Sequence, residues 1–214
     1  MSLFESHAKD ASWREFEESC AKYLNKRFRG YASFKHMGGS DSTATDIRVL
    51  VRGDCKFSIE AKKYGSQCGQ FVVLEDQARR RFYFSQRNKT KETPETKKII
   101  EYMNRNYERY SNAGTAGVSL DVMPGAPDIF YDWVVGKYAN SGVKLMITGL
   151  ANEGRFQVFP LESIADYFAI SATYRSKPSG SSSLPAKEHQ RVRNYLYFPG
   201  VCISTPQSGV VNSI

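Results

Sequence analysis

The first part of the chain carries apolar residues at helical spacing. Those between residues 12 and 28 fall within one arc of about 140° when successive side chains are set about 100° apart. The residues of this arc are Trp13, Phe16, Cys20, Tyr23, Leu24 and Phe28. Ser12 is followed three residues later by Glu15, the pattern of a capping box, so we expect the helix to begin there. Glu17 falls inside the arc and Glu18 outside it, which predicts that Glu17 points toward the core.

Apolar and polar residues alternate after the Gly38-Gly39 turn and predict two strands, over residues 46–51 and 56–62. The odd positions of both strands are apolar, and they hold Ile47, Val49, Val51, Phe57, Ile59 and Ala61. Because a slip of one residue would turn one apolar set toward solvent, odd positions must pair with odd and even with even. This register needs an odd-length connection, and we expect a three-residue loop with Gly53 in the left-handed conformation.

The rest of the chain mixes strand and helix patterns. Enrichment in β-branched and aromatic residues predicts strands over residues 70–74, 81–85, 128–135, 143–150 and 155–159. Apolar residues at helical spacing predict helices over residues 94–110, 161–174 and 187–196. Residues 111–127 are typical of a loop with one short strand. Together these elements indicate an α/β fold.

Composition narrows the partners of the protein. The chain has 214 residues, enough for one sizeable core and few for two, so we expect a single domain. The 30 Lys and Arg residues exceed the 22 Asp and Glu residues by a net charge of +8, which favours a polyanionic partner such as nucleic acid or an anionic membrane. No apolar run is long enough to span a membrane and the N-terminus does not resemble a signal peptide, so we expect a cytoplasmic protein without a membrane partner. The four cysteines form no CxxC pair, which argues against a zinc site.

Three charged residues stand on the even face of the predicted hairpin. Asp46 lies opposite Glu60 or Lys62, depending on where the loop is centred, and either choice clusters the three side chains. Neighbouring carboxylates on paired strands repel each other when both are ionised. A divalent cation would remove that conflict, and two carboxylates with water and phosphate oxygens suit Mg²⁺. Lys62 could orient a water or stabilise negative charge on a phosphate, with Glu17 as a supplementary acid, which predicts phosphodiester hydrolysis.

The same residues resemble a known family. Asp46, thirteen intervening residues and then Glu60-Ala61-Lys62, preceded by a helix with an inward acid, are similar to the PD-(D/E)xK nuclease superfamily, which includes most type II restriction endonucleases and the archaeal Holliday junction resolvases. The resemblance covers about residues 13–77. Thr45 occupies the position where the family motif has proline.

The resemblance implies a restriction-endonuclease-like core, in which a mixed central β-sheet is flanked by α-helices. It also implies cleavage of double-stranded DNA that depends on Mg²⁺, with Mn²⁺ as a substitute, and that leaves 5′-phosphates. Asp46 and Glu60 would be the metal ligands and Lys62 the catalytic base or stabilising group. We expect the catalytic core over about residues 12–150 and a further part over residues 151–214.

A sequence-specific type II restriction enzyme is the first functional hypothesis, and a homodimer is expected because a palindromic site matches two-fold protein symmetry. One alternative is a structure-selective nuclease, such as a junction resolvase or a transposition nuclease. Another alternative is a nucleic-acid-binding module that keeps the fold without cleavage. The complete set of two carboxylates and a lysine favours an enzyme, because a pure binder gains nothing from carboxylates facing a polyanion.

Candidate DNA contacts lie outside the hairpin. We expect a DNA-contacting loop over residues 174–193, where basic and hydroxyl side chains surround a Pro-Ser-Gly-Ser segment. Its candidate contacts are Arg175, Lys177, Ser179, Ser181, Arg191 and Arg193. Gln70, just past the Glu60-Ala61-Lys62 strand, and the neighbouring Arg79 and Arg80 are further candidates.

Overall fold

The computed structural model describes residues 3–38, 45–63, 68–86, 88, 90–114, 116–150, 154–176 and 194–198. The helices are α1 (Leu3–Arg27), α2 (Pro94–Arg105), α3 (Tyr107–Ser111), α4 (Ala126–Ala139) and α5 (Ile164–Tyr167), the last preceded by a 3₁₀ turn over Leu161–Ser163. The strands are β1 (Ser33–His36), β2 (Ile47–Val51), β3 (Asp54–Ala61), β4 (Gly69–Asp76), β5 (Arg81–Phe84), β6 (Val118–Ser119), β7 (Val143–Leu150), β8 (Arg155–Pro160), β9 (Thr173–Ser176) and β10 (Asn194–Phe198).

The chain forms two compact units, each built from two segments. The first unit takes Met1–Ser66 and Val135–Tyr167, and the second takes Gln67–Val134 and Phe168–Ile214. Compactness by itself does not show whether the two units fold independently or unfold in a single transition. The expectations of one domain and of a boundary near residue 150 therefore stay predictions. Within the described residues, no helix is both long and apolar enough to cross a membrane.

The first unit contains a mixed five-stranded sheet in the order β1-β2-β3-β7-β8. Strands β3 and β7 run parallel, whereas every other neighbouring pair is antiparallel. Helix α1 packs on one face through a cluster of buried side chains, and this cluster contains Phe16, Cys20, Ala21, Leu24, Phe34, Ile47, Val49, Ile59, Ala61 and Ile147. The expected mixed sheet flanked by helices is confirmed.

Helix α1 buries the centre of the predicted arc and leaves its ends in solvent. Phe16, Cys20 and Leu24 are buried, whereas Trp13 and Phe28 are exposed. The predicted start at Ser12 is wrong, because the helix begins at Leu3 and Ser12 lies inside it. No glycine or proline interrupts residues 3–12, so nothing in that segment stops the helix from extending past the capping-box pattern.

The β2–β3 hairpin reaches the predicted register by an unexpected route. Its turn has two residues, Arg52 and Gly53, with positive φ angles of 53° and 88°, so the expected three-residue loop is wrong. Leu50 pairs with Cys55, but Val49 pairs with Phe57, which leaves Lys56 as an extra residue in a β-bulge. The bulge restores the pairing of odd with odd positions, so that Ile47 lies opposite Ile59.

The second unit contains an antiparallel sheet that the sequence did not predict as a separate layer. Its strand order is β5-β4-β10-β9-β6. Strand β10 pairs with β4 on one side and with β9 on the other. The core of this unit is rich in fully buried aromatic side chains, and these include Phe71, Phe82, Tyr110, Phe130 and Tyr174.

Three later elements differ from the sequence predictions. The strand expected over residues 128–135 is helix α4, in which Ala126, Phe130, Trp133 and Val134 are buried at helical spacing. Pro127 lies in its first turn, where proline is favoured, and burial on one helical face outweighs the strand propensity of its aromatic and β-branched residues.

The other two differences concern predicted helices near the C-terminus. The helix expected over residues 161–174 ends at Tyr167, and Thr173 already begins strand β9. Of the helix expected over residues 187–196, the described part, residues 194–196, belongs to strand β10. Pairing with β4 and β9 satisfies the backbone of this segment through hydrogen bonds that local helical spacing cannot reveal.

Candidate active site

The four predicted catalytic residues meet in the first unit. Asp46 directly precedes β2, Glu60 lies near the end of β3, Lys62 follows β3, and Glu17 projects from α1. All four are buried, with exposed fractions of 0% for Glu17, 6% for Asp46, 7% for Glu60 and 8% for Lys62. Three carboxyl groups and one ammonium group therefore share a site that is almost closed to solvent.

The Asp46 carboxylate ends the β2–β3 ladder. The backbone amides of Ser58 and Lys62 donate to Gly142 and Ile147, on the β7 side of β3. Strand alternation therefore directs the amide of Ala61 toward β2, where it donates to Asp46 Oδ2 at 2.8 Å. The Asp46 side chain thus accepts the hydrogen bond that a backbone carbonyl of β2 would otherwise accept. This contact holds the carboxylate at the point where β2 and β3 separate.

Lys62 is held by its backbone and by its charge. Its amide donates to the carbonyl of Ile147 at 2.9 Å, and its own carbonyl accepts from Thr148 Oγ1 at 2.7 Å. Its Nζ lies 2.6 Å from Glu60 Oε1, so the two side chains form a buried ion pair on one face of the chain. These contacts orient the ammonium group before any substrate binds.

Two aromatic rings flank the Lys62 ammonium. The Nζ atom lies 5.9 Å from the ring centre of Trp13 and 5.8 Å from that of Tyr138. At these distances the electron-rich ring faces favour a positive charge. The rings therefore add a favourable electrostatic contact to the buried ammonium group.

Glu17 contacts a histidine that the sequence did not assign to the site. His36 Nε2 lies 2.8 Å from Glu17 Oε2, and Phe34 and His36 occupy alternate positions of β1, so both side chains project to the face that α1 covers. Within the residues that the structure describes, no N–H or hydroxyl group donates to Glu17 Oε1. The alternation of Phe34 and His36 in a short strand was the sequence signal for this placement.

Burial, together with repulsion between neighbouring carboxylates, raises the pKa of acidic groups in the site. Burial, followed by the charge of Glu60, raises the pKa of Asp46 to about 8. Burial also raises the pKa of Glu17, although a hydrogen bond with Asp46 and the charge of Lys62 act in the opposite direction. When Asp46 is protonated, its carboxyl group can donate this hydrogen bond to Glu17. Burial, with smaller contributions from Asp46 and Glu17, raises the pKa of the neighbouring Cys20 thiol to about 12.

The donor chemistry of this cluster fits a hard divalent cation. Asp46 and Glu60 offer carboxylate oxygens, and Glu17 has a buried oxygen to which no N–H or hydroxyl group among the described residues donates. No three Asp, Glu, His or Cys side chains in the described ranges are arranged as a ready-made metal cage. Mg²⁺ does not require such a cage, because it commonly takes one or two carboxylates and completes its shell with water and phosphate oxygens.

Thr45 occupies the position of the motif proline and serves the site in another way. Its Oγ1 donates to Ser58 Oγ at 2.9 Å, across the β2–β3 pair and next to Asp46. Ser58 is itself buried. The hydrogen bond therefore ties the residue before Asp46 to β3, so a rigid proline is not needed to hold this approach.

The described candidate DNA contacts belong to the second unit. Gln70 lies near the start of β4 and is exposed, whereas Arg79 and Arg80 lie in the turn at its other end. Arg79 forms an exposed ion pair with Asp76. Arg175 lies on β9, opposite Tyr195 of β10. The remaining candidates, Lys177, Ser179, Ser181, Arg191 and Arg193, lie outside the described residues.

Arg80 has two partners on the same unit. Its guanidinium pairs with the Glu108 carboxylate and lies 5.0 Å from the ring centre of Tyr107. Both members of the ion pair are exposed, so solvent weakens their attraction. Breaking this ion pair should therefore cost about 0–1 kcal/mol.

Comparison with solved structures identifies the fold. The chain is similar to HhaI endonuclease, a type II restriction enzyme, whose structure was solved in complex with DNA, with a TM-score of 0.69 and 39% sequence identity. The fold is restriction-endonuclease-like. The alignment covers 82% of this chain and 64% of the HhaI chain, so this chain spans less than two thirds of the neighbour's length. No protein-family model and no curated protein matches the chain.

The charged cluster lies at one end of the mixed sheet of this restriction-endonuclease-like fold. Asp46 directly precedes β2, Glu60 lies on the adjacent strand β3, and α1 brings Glu17 to the same end of the sheet. The sequence predicted this grouping but not the groups around it, namely His36, Trp13, Tyr138 and Thr148. Tyr138 and Thr148 reach Lys62 from segments more than seventy residues away in the chain, so no local pattern could reveal them.

Proposed function

We propose that the protein is a Mg²⁺-dependent DNA endonuclease that hydrolyses phosphodiester bonds of double-stranded DNA at a specific sequence, as type II restriction enzymes do. The observation that carries the proposal is the buried cluster of Asp46, Glu60, Lys62 and Glu17. Its support is the restriction-endonuclease-like fold and the 39% identity with HhaI endonuclease, which was solved with DNA bound.

In this proposal Asp46 and Glu60 would hold the cation through ionised carboxylates. Bound Mg²⁺ would polarise the scissile phosphate and lower the pKa of a coordinated water. Glu17 contributes a third carboxyl group at the same end of the sheet. Mn²⁺ has similar oxygen preferences and is expected to substitute.

Lys62 stabilises the charge that develops on the phosphate. Its ammonium pairs with Glu60 and its backbone is bound to β7 before the substrate arrives, so little reorganisation is needed during the reaction. The products would carry 5′-phosphates.

DNA binding would use the basic surface of the chain, and a homodimer would match a palindromic site. The net charge of +8 supports the first part of this proposal. Arg79, Arg80, Arg175 and Gln70 are the described residues proposed to touch DNA, together with the segment over residues 174–193.

The test is incubation of the protein with supercoiled plasmid in Mg²⁺, in Mn²⁺ and in EDTA, beside a Glu60→Gln variant. Discrete fragments that need the cation and disappear in the variant are expected, and end mapping then gives the cut position. A smear would instead indicate a nonspecific nuclease, and cutting limited to branched DNA would indicate a structure-selective one. Absence of cleavage under all conditions would leave only a binding module and would refute the proposal.

A further inference from the structure

His36, which lies behind the proposed catalytic residues, contacts one of them, Glu17. His36 Nε2 and Glu17 Oε2 are 2.8 Å apart, although the two residues are nineteen positions apart in the chain. The Glu17 side chain is fully buried and the side chain of His36 is 16% exposed. A carboxylate on a flexible stem therefore has one of its two oxygens fixed by a ring on the neighbouring strand.

The other oxygen of Glu17 is buried beside the catalytic cluster. Oε2 is occupied by His36, while the carboxyl group also lies within hydrogen-bond reach of Asp46. Oε1 is buried, and no N–H or hydroxyl group within the described part of the chain donates to it. A buried oxygen of this kind costs free energy unless a proton donor, a water or a cation faces it.

Gly38 lies directly against the contact. A Cβ atom at this position would overlap His36 Nε2 and would lie 2.7 Å from Glu17 Oε2. Only glycine leaves room for the pair at this close approach. A side chain at position 38 would therefore displace the imidazole ring or the carboxyl group from the arrangement that the hydrogen bond requires.

We propose that His36 is a positioning residue, which fixes Glu17 so that Oε1 faces the cation held by Asp46 and Glu60. This inference rests on the proposed function, because it assigns His36 to the cation site of that enzyme. Residues that orient metal-binding carboxylates typically change cation affinity by about 10- to 100-fold when they are replaced. A purely structural link between α1 and β1 would change stability without such a change in affinity.

The test compares His36→Gln with His36→Leu. Glutamine can place an amide donor where Nε2 lies, whereas leucine has similar bulk and no donor. Mn²⁺ affinity is measured by calorimetry without DNA, and unfolding is followed in EDTA. We expect His36→Leu to weaken Mn²⁺ binding about tenfold or more and to raise the half-saturating Mg²⁺ concentration for cleavage by a similar factor. His36→Gln should stay within a few-fold of the original protein.

A second pair of variants tests whether His36 acts through Glu17. Glu17→Gln is expected to weaken Mn²⁺ binding by itself, and adding His36→Leu to it should cause no further loss, because the two residues form one unit. If His36→Leu does not fold, His36→Asn replaces it, since the shorter amide cannot reach the ε position and should lose affinity where glutamine does not.

The outcomes separate this inference from the proposed function. If the original protein cleaves DNA and binds Mn²⁺ while the folded His36→Leu variant binds it equally well, the assignment of His36 is wrong and the proposed function stands. Equal impairment of the glutamine and leucine variants would also overturn the assignment. If the original protein neither cleaves DNA nor binds Mn²⁺, both the function and the inference fail.

Discussion

The Asp46 carboxylate accepts a hydrogen bond from the backbone amide of Ala61 at 2.8 Å. This contact ends one strand and begins the candidate active site, because it directs a carboxyl group to the place where the strands separate. Glu60 precedes Ala61 and Lys62 follows it, so one backbone amide holds Asp46 beside both of its charged neighbours. Substitutions at Asp46 that keep an acceptor should therefore preserve the local fold while changing the charge.

Replacement of Asp46 by Asn should change how stability depends on pH. The pKa of Asp46 is raised from 3.8 to about 8 in the folded chain, so the folded protein binds this proton more tightly than the unfolded one. The resulting stabilisation is complete below about pH 4 and is lost as the pH rises toward about 8, at a rate of at most about 1.4 kcal/mol per pH unit for one group. The asparagine side chain keeps an acceptor for the Ala61 amide and has no such proton to lose.

Chemical denaturation in EDTA between pH 5 and pH 9 measures this effect. The free energy of unfolding of the original protein should fall more steeply with pH than that of Asp46→Asn, and the variant should be the more stable protein near pH 9. Cleavage should be lost in the variant because the neutral amide binds a divalent cation weakly. Parallel stability curves for the two proteins would show that Asp46 is ionised throughout this range.

Replacement of Lys62 by Met should destabilise the protein when no cation is present. The change removes the ammonium that pairs with the buried Glu60 carboxylate and leaves three buried carboxyl groups together. Breaking one partner of a buried ion pair costs about 3–5 kcal/mol. Mg²⁺ should restore more stability to Lys62→Met than to the original protein, although cleavage should remain absent and DNA binding should be kept.

A matched control is Lys56→Met, which removes an exposed lysine that pairs with Asp54 at 3.3 Å. A surface pair of this kind contributes about 0–1 kcal/mol, so the free energy of unfolding should change little. Denaturation of both variants with and without Mg²⁺ provides the comparison. Equal losses for Lys62→Met and Lys56→Met would contradict the view that the Lys62 charge is held within a buried cluster.

Deletion of Lys56 should be tolerated. Lys56 is the extra residue of the bulge, and without it Leu50 can still pair with Cys55 and Val49 with Phe57. Deletion of Ser58, with the bulge kept at Lys56, would instead bring Glu60 opposite Ile47 and turn it toward the core face. Cleavage and melting temperature should therefore survive the first deletion with modest losses and should collapse in the second, and activity in the Ser58 deletion would refute the role given to the register.

Replacement of Arg79 by Ala should reduce the salt dependence of DNA binding. Arg79 is exposed and paired only weakly with Asp76, so it is available to a phosphate. Loss of one phosphate contact lowers the slope of log affinity against log salt by about 0.9. Binding is measured in EDTA at several salt concentrations, with Lys22→Ala, an exposed position of α1, as the control. An unchanged slope for Arg79→Ala would remove this residue from the proposed DNA surface.

Elements with a strong local period were predictable from the sequence. The odd-apolar pattern of β2 and β3 predicted both strands and their register, and the apolar arc of α1 predicted that Glu17 is buried. Helix α4 was predicted as a strand because aromatic and β-branched residues dominate its composition, and only burial along one face shows its true period. Strand β10 was missed because its partners, β4 and β9, are distant in sequence, and their pairing depends on tertiary structure.

The register of the β2–β3 hairpin depends partly on the local sequence pattern and partly on tertiary structure. By itself, the sequence determined that an odd number of the residues between Val49 and Phe57 must have no partner on the opposite strand. With an even number, the apolar side chains of one strand would face solvent. A three-residue loop and a two-residue turn with a one-residue bulge both satisfy that requirement. Only the folded structure shows which of the two forms, namely the turn with a bulge at Lys56.

The charges of the candidate site were likewise determined by the sequence, since alternation places Asp46, Glu60 and Lys62 on one face and helical spacing turns Glu17 inward. The groups that hold those charges were decided by tertiary structure. His36 meets Glu17 across nineteen residues, and Thr148 reaches Lys62 across eighty-six. Contacts at such separations depend on how α1, β1 and β7 pack around β3, and packing of distant segments leaves no period in the sequence of any one of them.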